Sequence, residues 1–348
     1  APAASFRGKR EPPHCHRVGR PWAAGYLIML DLKQTIGFGV AGNFAGHLEQ
    51  AGEASDFVAV KSKAGAPKGV FPFYVPPVKP NDPDHFLHTF PLSADTVEHP
   101  GTIDGEPANL QIEPEIALLC ELEYEEKSSG GMGVPPVTKH DRRPGRPSHP
   151  GCKAVKQIKP THFAAYNDCS TRRPNATKIS QKKNWGPNTK GLASDQWLPL
   201  DKFEQGGCLD RFRLACYLKR NGQLHTYGED SPVAGPDGYG YMYGELVDWL
   251  IDRFNNQQDA GPLEDLPTWL SIADYPSHAI IAIGATRYTP LGESTYLKPG
   301  DESIVIAYDH TQNEAASFEA ALLAGNEIQG AGQTCSVLRQ RVVHNKKY

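Results

Sequence analysis

One apolar run carries two carboxylates, and it limits strongly what this chain can fold into. Residues 110–119 read Leu-Gln-Ile-Glu-Pro-Glu-Ile-Ala-Leu-Leu. Side chains alternate between the two faces of an extended strand, so Glu113 and Glu115 point the same way. The opposite face presents only apolar side chains, namely Leu110, Ile112, Ile116 and Leu118. The run therefore predicts a strand with one face toward a core and two like charges together on the other.

The two carboxylates have two interpretations. Like charges held side by side repel each other unless a cation lies between them, and ligand sets made only of oxygen suit Mg²⁺, Ca²⁺ or Mn²⁺. The alternative is a solvated edge strand, because Pro114 fits an edge or a bulge better than a central strand. The same spacing recurs at Glu121 and Glu123. Spacing alone therefore does not decide between a metal site and a solvated strand.

Length and composition are those of an ordinary globular protein. The chain has 348 residues, of which 39% are hydrophobic and 22% are charged, so it can bury a large core. A net charge of −4 gives no reason to expect nucleic acid as a partner. No apolar run reaches the roughly 18 residues that would cross a membrane. Seven cysteines without a C-x-x-C pair favour a reducing compartment, so we expect a cytoplasmic protein.

Composition also predicts the domain organisation. Residues 1–28 are rich in Arg and Lys and show no apolar periodicity, which predicts a disordered tail or an upstream extension. Residues 127–156, dense in Gly, Pro, Ser and basic side chains, predict a flexible insertion between strands.

Local patterns predict many strands and few helices. Asn221-Gly222 between two strand-like runs predicts a hairpin over residues 213–227. Apolar positions in helical spacing predict a helix over residues 246–254. Another helix is expected over residues 314–324, with Gly325 as its terminator. Further strands are expected at residues 57–61, 161–166, 279–283 and 303–308. Mostly strands with few helices predict an α+β fold and not a wound parallel sheet.

A glycine pattern near the N-terminus resembles a nucleotide-binding signature. Residues 37–42 match G-x-G-x-x-G, and Asp56 lies near the expected acidic position. The signature requires a strand before the glycines and a long helix after them. Only residues 35–36 are clearly strand-like upstream, and Gly46 interrupts the short helix downstream. We therefore interpret the glycines as a loop that turns sharply.

Separate segments resemble, in the same order, the motifs of the fumarylacetoacetate hydrolase superfamily. The segments are Asn43-Phe-Ala-Gly-His47, Phe57-Val-Ala-Val-Lys61, Ile112-Glu-Pro-Glu-Ile116, Tyr166-Asn-Asp-Cys-Ser-Thr-Arg172, Lys190-Gly-Leu-Ala-Ser194, Ile283-Gly-Ala-Thr286 and Leu297-Lys-Pro-Gly-Asp301. Their ordered co-occurrence is more specific than any one of them. The resemblance covers roughly residues 35–310. It implies a small N-terminal lid region over residues 29–104 and, over residues 105–345, a strand-rich catalytic core of that family's β-roll or sandwich type.

The resemblance also implies a metal centre and a mechanism. Glu113, Glu115 and Asp168 would bind Mg²⁺ or Mn²⁺, with Ca²⁺ as an alternative. The metal would act as a Lewis acid on a chelating 2-oxo acid and stabilise an enolate. Lys190 would add a fixed positive charge beside that enolate. His47, on the lid, would accept a proton from water.

The chain departs from the family pattern beside the lid histidine. Smaller members of the family place a glutamate three residues after it, and here that position is Gln50. The nearest acid is Glu49, which we therefore include as the candidate partner of His47. Three further residues are expected to contact the substrate, namely Lys61, Arg172 and Thr286.

Three functions remain open. The first is a metal-dependent hydrolase that cleaves a C–C bond in an acylpyruvate-like or 1,3-diketo acid, in a protein expected to be a homodimer. The second is a decarboxylase or keto–enol isomerase at the same site, which needs no activated water. The third, consistent with Gln50, is a non-enzymatic metal- or ligand-binding protein. An acid within hydrogen-bond reach of His47 would favour hydrolysis, whereas a lid too far from the metal would favour the third function.

Overall fold

A computed structural model describes residues 31–58, 60, 62–63, 65–78, 85–127, 153–172 and 176–345. The strands are β1 (Thr35–Ala41), β2 (Gly69–Tyr74), β3 (Leu92–Ser93), β4 (Thr96–His99), β5 (Thr102–Ile103), β6 (Glu106–Pro107), β7 (Leu110–Gln111), β8 (Pro114–Glu126), β9 (Lys153–Asn167), β10 (Ser170–Thr171), β11 (Lys190–Leu192), β12 (Leu198–Pro199), β13 (Phe212–Arg220), β14 (Gln223–Pro232), β15 (His278–Ala282), β16 (Glu302–Asp309) and β17 (Cys335–His344). The α-helices are α1 (His47–Gln50), α2 (Ser180–Lys183), α3 (Tyr243–Asn256), α4 (Leu266–Ile272), α5 (Pro290–Ser294) and α6 (Ala315–Ala324). Short 3₁₀ helices lie at Ala54–Phe57, Phe86–His88 and Cys208–Arg211.

Two large sheets dominate the architecture. The first follows the order β2-β1-β15-β8-β9-β11-β3, and β12 also pairs with β9. The second has the order β14-β13-β16-β17-β4. Parallel pairs (β1 with β15, β11 with β3, β17 with β4) occur beside long antiparallel pairs such as β8 with β9. The protein is thus a strand-rich α+β protein, as predicted.

One hydrophobic core receives side chains from both sheets. Phe163 of β9 and Phe212 of β13 meet edge to face, with ring centroids 4.8 Å apart. Helix α3 packs onto the same core through Leu246, Leu250 and Phe254, which are buried. The predicted helix over residues 246–254 is therefore confirmed. A helix with one apolar stripe buries that stripe against the sheets and leaves its polar face to solvent.

The local turn predictions are also confirmed. Strands β13 and β14 form the predicted hairpin, with Arg220 paired to Gln223. Asn221 and Gly222 have φ angles of 53° and 79°, which is the conformation that a tight two-residue hairpin loop demands. Helix α6 ends at Gly325, whose φ is 72°, as expected for a left-handed C-terminal cap.

The glycine pattern lies in a strand, so its interpretation as a loop was wrong. Strand β1 runs through it, between β15 and β2. A Cβ atom on Gly37 would lie 2.2 Å from the ring of Phe73, and one on Gly39 would lie 2.3 Å from the ring of Phe71. Glycine is required here because aromatic rings of β2 cover the strand closely. The helix that follows, α1, has only four residues, unlike the long helix of a nucleotide-binding unit.

The region predicted as an N-terminal lid, residues 29–104, supplies strands to both large sheets. β1 and β2 belong to the first sheet, and β4 belongs to the second. The strand predicted at residues 57–61 is wrong at its start, because Ala54–Phe57 form a 3₁₀ helix that buries Phe57. Lys61 lies outside the described residues.

Two other predicted segments fall mainly beyond the described part of the chain. Residues 1–28 and 128–152 lie outside it. Strand β9 begins at Lys153, so the last four residues of the predicted insertion 127–156 belong to a strand in which Val155 is buried.

None of the helices in the described ranges is long and apolar enough to span a membrane.

Candidate metal centre and active site

Three buried carboxylates converge where strands β8 and β9 pair. Glu113 and Glu115 flank the first residue of β8, and Asp168 directly follows β9; Pro114 pairs with Asn167 across the two strands. The Asp168 N–H donates to the Glu113 carbonyl at 2.9 Å. One carboxylate oxygen from each acid lies within 4.8 Å of the other two. Because all three side chains are buried, the interpretation as a solvated edge strand is wrong.

Backbone hydrogen bonds fix the segment that carries the two glutamates. The Pro114 carbonyl accepts from the Thr286 N–H at 3.1 Å and from its hydroxyl at 3.4 Å. The Asn167 side chain accepts from the Glu113 N–H at 3.1 Å. Proline at the first position of a strand interrupts no ladder hydrogen bond. Thr286, predicted to contact substrate, is thus placed as a support of this segment.

Three cationic side chains surround Glu113 and Asp168. The Lys183 ammonium donates to Glu113 and lies 2.6 Å from Oδ2 of Asp168. The Lys190 ammonium pairs with the other oxygen, Oδ1 of Asp168, and Nη2 of Arg172 lies 2.9 Å from Oε1 of Glu113. Lys190 and Arg172 were predicted at the site, whereas Lys183 was missed. The sequence gives one weak indication that Lys183 is buried: it lies one helical turn after Ile179, which is buried.

Arg172 is fully engaged with protein groups. Its Nη1 lies 3.0 Å from Oε1 of Glu53, its Nη2 donates to the Tyr288 hydroxyl at 2.9 Å, and its Nε donates to Gln111. A planar guanidinium suits this role because its donors have a fixed geometry. Arg172 therefore orients Glu113 instead of extending freely toward a substrate.

Glu115 differs from the other two carboxylates. It accepts a hydrogen bond from the Gly284 N–H at 2.9 Å, and no described lysine or arginine forms an ion pair with it. Burial and the neighbouring charge of Asp168 raise the pKa of Glu115 well above its ordinary value. Burial also disfavours ionised Glu113, but Lys183 and Arg172 outweigh it and lower the pKa of Glu113. Among the described residues, Glu113 and Asp168 therefore have cationic partners, whereas Glu115 has none.

His47, which was predicted to lie on a lid, is at the edge of this cluster. Helix α1 begins at His47 after Gly46, whose φ of 84° favours glycine. Nε2 of His47 is 3.9 Å from Oε2 of Glu113, and its Nδ1 is buried without a hydrogen-bond partner among the described residues. Burial lowers the pKa of His47, although Glu113 opposes this effect, so the imidazole is neutral near pH 7. Glu49 is exposed and does not belong to the cluster, so its predicted pairing with His47 is not found.

Two amide side chains anchor the segment around His47 to the rest of the fold. Nδ2 of Asn43 donates to the carbonyls of Ile283 at 2.8 Å and Tyr241 at 3.0 Å. Nε2 of Gln50 donates to the Tyr288 carbonyl at 3.1 Å, and its Oε1 accepts from the Tyr288 N–H at 2.9 Å. Gln50 thus anchors the backbone, a role that a glutamate could not fill because it lacks the amide donor.

Two tyrosine hydroxyls at the site have no hydrogen-bond partner within the described ranges. They belong to Tyr166 and Tyr239, and both are buried. Burial first and then neighbouring carboxylates, Glu115 among them, raise the pKa of each phenol, so both remain protonated donors. Buried donors without an acceptor are unfavourable, which points to a ligand that supplies one.

The donor set fits a hard divalent cation. All three converging side chains offer oxygen, which Mg²⁺, Mn²⁺ and Ca²⁺ prefer. A cation beside Glu115 would offset the repulsion between this carboxylate and that of Asp168. Glu121 and Glu123, with the same sequence spacing, are exposed, so burial distinguishes the two pairs.

The fold and the site together define a strand-rich α+β protein with a buried centre of three carboxylates. Over residues 53–133 and 151–342 the sequence matches a family described as "Family of unknown function (DUF5718)". The chain belongs to this family. No curated protein sequence matches it.

Several solved structures are similar to this chain. The crystal structure of Cg1458 with inhibitor shares 13% identity over 89% of this chain and 77% of that chain, with a TM-score of 0.47. A probable 2-hydroxyhepta-2,4-diene-1,7-dioate isomerase from Mycobacterium abscessus shares 15% identity over 90% and 78%, with a TM-score of 0.43. A fumarylacetoacetate hydrolase from psychrophilic Exiguobacterium antarcticum shares 11% identity over 89% and 75%, with a TM-score of 0.37.

Proposed function

We propose that this protein is a divalent-metal-dependent enzyme of the fumarylacetoacetate hydrolase superfamily that cleaves a C–C bond in an acylpyruvate-like or 1,3-diketo acid. The observation that carries the proposal is the buried convergence of Glu113, Glu115 and Asp168, in which Glu115 has no cation partner among the described residues. The ordered sequence motifs that resemble this superfamily support it independently.

In this proposal, Glu113, Glu115 and Asp168 hold Mg²⁺ or Mn²⁺. When bound, the cation supplies Lewis acidity toward the carbonyl of a 2-oxo acid. Lys190 is completely buried against Asp168 and adds a positive charge where negative charge develops on the substrate. Tyr166 supplies a buried donor for a substrate oxygen.

His47 has the protonation state that a general base needs. Burial lowers its pKa, so its imidazole is neutral near pH 7 and can accept a proton from water. Its position 3.9 Å from Glu113 places it beside the proposed metal ligands. A lid too far from the metal would have favoured the third function, and this distance gives no such support.

A second candidate is decarboxylation or keto–enol isomerisation at the same centre. The observation that favours it is that, among the described residues, His47 has no acidic partner within hydrogen-bond reach: Glu49 is exposed, and Glu113 lies at 3.9 Å. Hydrolysis needs an oriented base for water, whereas these reactions do not.

The assay compares wild type, His47→Gln and the exposed control Glu49→Gln with Mg²⁺ or Mn²⁺ on acetylpyruvate and oxaloacetate. For hydrolysis we expect acetate and pyruvate from acetylpyruvate, at least about a hundredfold loss of rate in His47→Gln, and no loss in Glu49→Gln. Loss of CO₂ from oxaloacetate that survives His47→Gln would favour the second candidate. No turnover of either compound by wild type with either metal would contradict both candidates for these substrate classes.

A further inference from the structure

The position of Lys183 has a consequence for metal binding. This residue ends α2, and its side chain is only 3% exposed. Its ammonium donates to Oε2 of Glu113, lies 2.6 Å from Oδ2 of Asp168 and lies 3.4 Å from the Asp168 carbonyl oxygen. It is also 5.6 Å from the centre of the Phe71 ring. Lys183 thus bridges two of the three carboxylates of the triad.

We infer that Lys183 is an internal cation that competes with the metal for Glu113 and Asp168, an inference that rests on the metal centre proposed above. A divalent cation binds carboxylate oxygens at about 2.0–2.6 Å. The Lys183 ammonium is within that range of Asp168 Oδ2 and also contacts Glu113. Two cations cannot occupy the same space between these oxygens, so metal binding must displace the ammonium from at least one of them.

The electrostatic cost of keeping both cations together is large. Like charges within about 4 Å in a protein interior repel strongly, and repulsion from a divalent ion is twice that from a monovalent one. Metal binding must therefore work against an existing ion pair that a simple three-carboxylate site would lack. We expect Lys183 to weaken metal affinity and so to restrict occupancy to conditions of sufficient free metal.

The neighbouring lysine provides a matched control. Lys182 is also buried, but its ammonium lies 2.6 Å from Asp56 and 3.4 Å from Glu53. Neither acid belongs to the triad. Replacing Lys182 removes the same charge from the same short helix without freeing an oxygen of Glu113 or Asp168.

The test is calorimetric titration of Mn²⁺ into wild type, Lys183→Met, Lys183→Gln and Lys182→Met at one pH. The inference predicts at least about tenfold tighter binding in the Lys183 variants and a change below about threefold in Lys182→Met. Gln keeps a donor for one carboxylate, so it reports on the site even where Met impairs folding. Affinity in the Lys183 variants equal to or weaker than that of a binding-competent wild type would overturn the inference and leave the metal centre standing.

Absence of Mn²⁺ binding in wild type and in every folded variant would instead overturn the proposed metal centre, and the inference with it. A crystal structure of the wild type with Mn²⁺ provides a measurement that needs no variant. The inference predicts that the Lys183 ammonium has left Glu113, Asp168 or both. Mn²⁺ bound while Lys183 still contacts both carboxylates would overturn it.

Discussion

Replacing Glu264 with glutamine should change how the stability of the protein depends on pH. Glu264 is buried, its Oε1 accepts from the Ser180 hydroxyl, and its Oε2 has no partner in the described part of the structure. Burial raises its pKa from 4.5 to about 7, although the Ser180 hydrogen bond and Lys178 oppose the change. Ser180 begins α2, the helix that carries Lys183, so this carboxyl supports the wall of the proposed metal centre.

The direction in which stability changes with pH follows from how tightly Glu264 binds its proton in the folded and unfolded states. The folded protein holds the Glu264 proton more tightly than the unfolded chain, so stability decreases as pH rises from about 4.5 to about 7 and then levels off. The raised pKa corresponds to about 3 kcal/mol in total, of which about 2 kcal/mol should be lost between pH 5 and pH 8. Glutamine keeps the shape and cannot ionise, so Glu264→Gln should not show this loss.

Urea unfolding followed by tryptophan fluorescence at pH 5 and pH 8 measures the effect. The free energy of unfolding of Glu264→Gln minus that of wild type should rise by about 2 kcal/mol between the two pH values. Other titrating groups cancel in this difference, and Glu123→Gln, at an exposed position, is measured alongside as the control. A difference for Glu264→Gln that does not vary with pH would refute the reasoning.

Two further predictions concern the strand glycines and the metal ligands. Gly39→Ala should lower the free energy of unfolding by about 1–3 kcal/mol through overpacking, because the new methyl would meet the Phe71 ring at 2.3 Å. The control Gly244→Ala, in open space on α3, should be neutral or stabilising in the same urea titration, and equal effects would contradict the account of β1. Asp168→Asn keeps an oxygen but loses a charge, so calorimetry should show weaker Mn²⁺ binding with an unchanged far-UV spectrum, and unchanged affinity would remove Asp168 from the site.

Features that depend on local chemistry could be predicted from the sequence. The hairpin at Asn221-Gly222 and the cap at Gly325 follow from residues that adopt positive φ at little cost. Helix α3 follows from a repeat of apolar residues that any single helix shows. The convergence of Glu113 and Glu115 follows from the alternation of side chains in a strand, and it needed no tertiary information.

Features that depend on distant partners could not be predicted in the same way. Strand β1 contains glycines because Phe71 and Phe73 lie on top of it, and nothing within residues 35–41 shows those rings. Lys183 contacts Glu113 although it lies 70 positions later in the sequence. Lysine is ordinarily solvated, so its burial had no sequence signal strong enough to use. Strand β17 was also missed.

The predicted partner of His47 also shows that residues close in sequence need not be close in space. Glu49 was chosen because it is close to His47 in sequence, yet helix α1 turns its side chain to the solvent. Among the described residues, the carboxylate found within 4 Å of the imidazole is instead Glu113, which directly precedes a distant strand. Gln50, which looked like a lost acidic partner, is engaged with the backbone of Tyr288.

The most direct test of the metal centre is anomalous diffraction from crystals of the wild-type protein soaked with Mn²⁺. The account predicts one strong anomalous peak enclosed by Glu113, Glu115 and Asp168, at about 2.0–2.6 Å from an oxygen of each. Crystals of Glu115→Gln, which removes the carboxylate without a cation partner, should show a weaker peak or none under the same soak. No peak among the three carboxylates of the wild type at millimolar Mn²⁺, or a peak bound only elsewhere, would contradict the central claim.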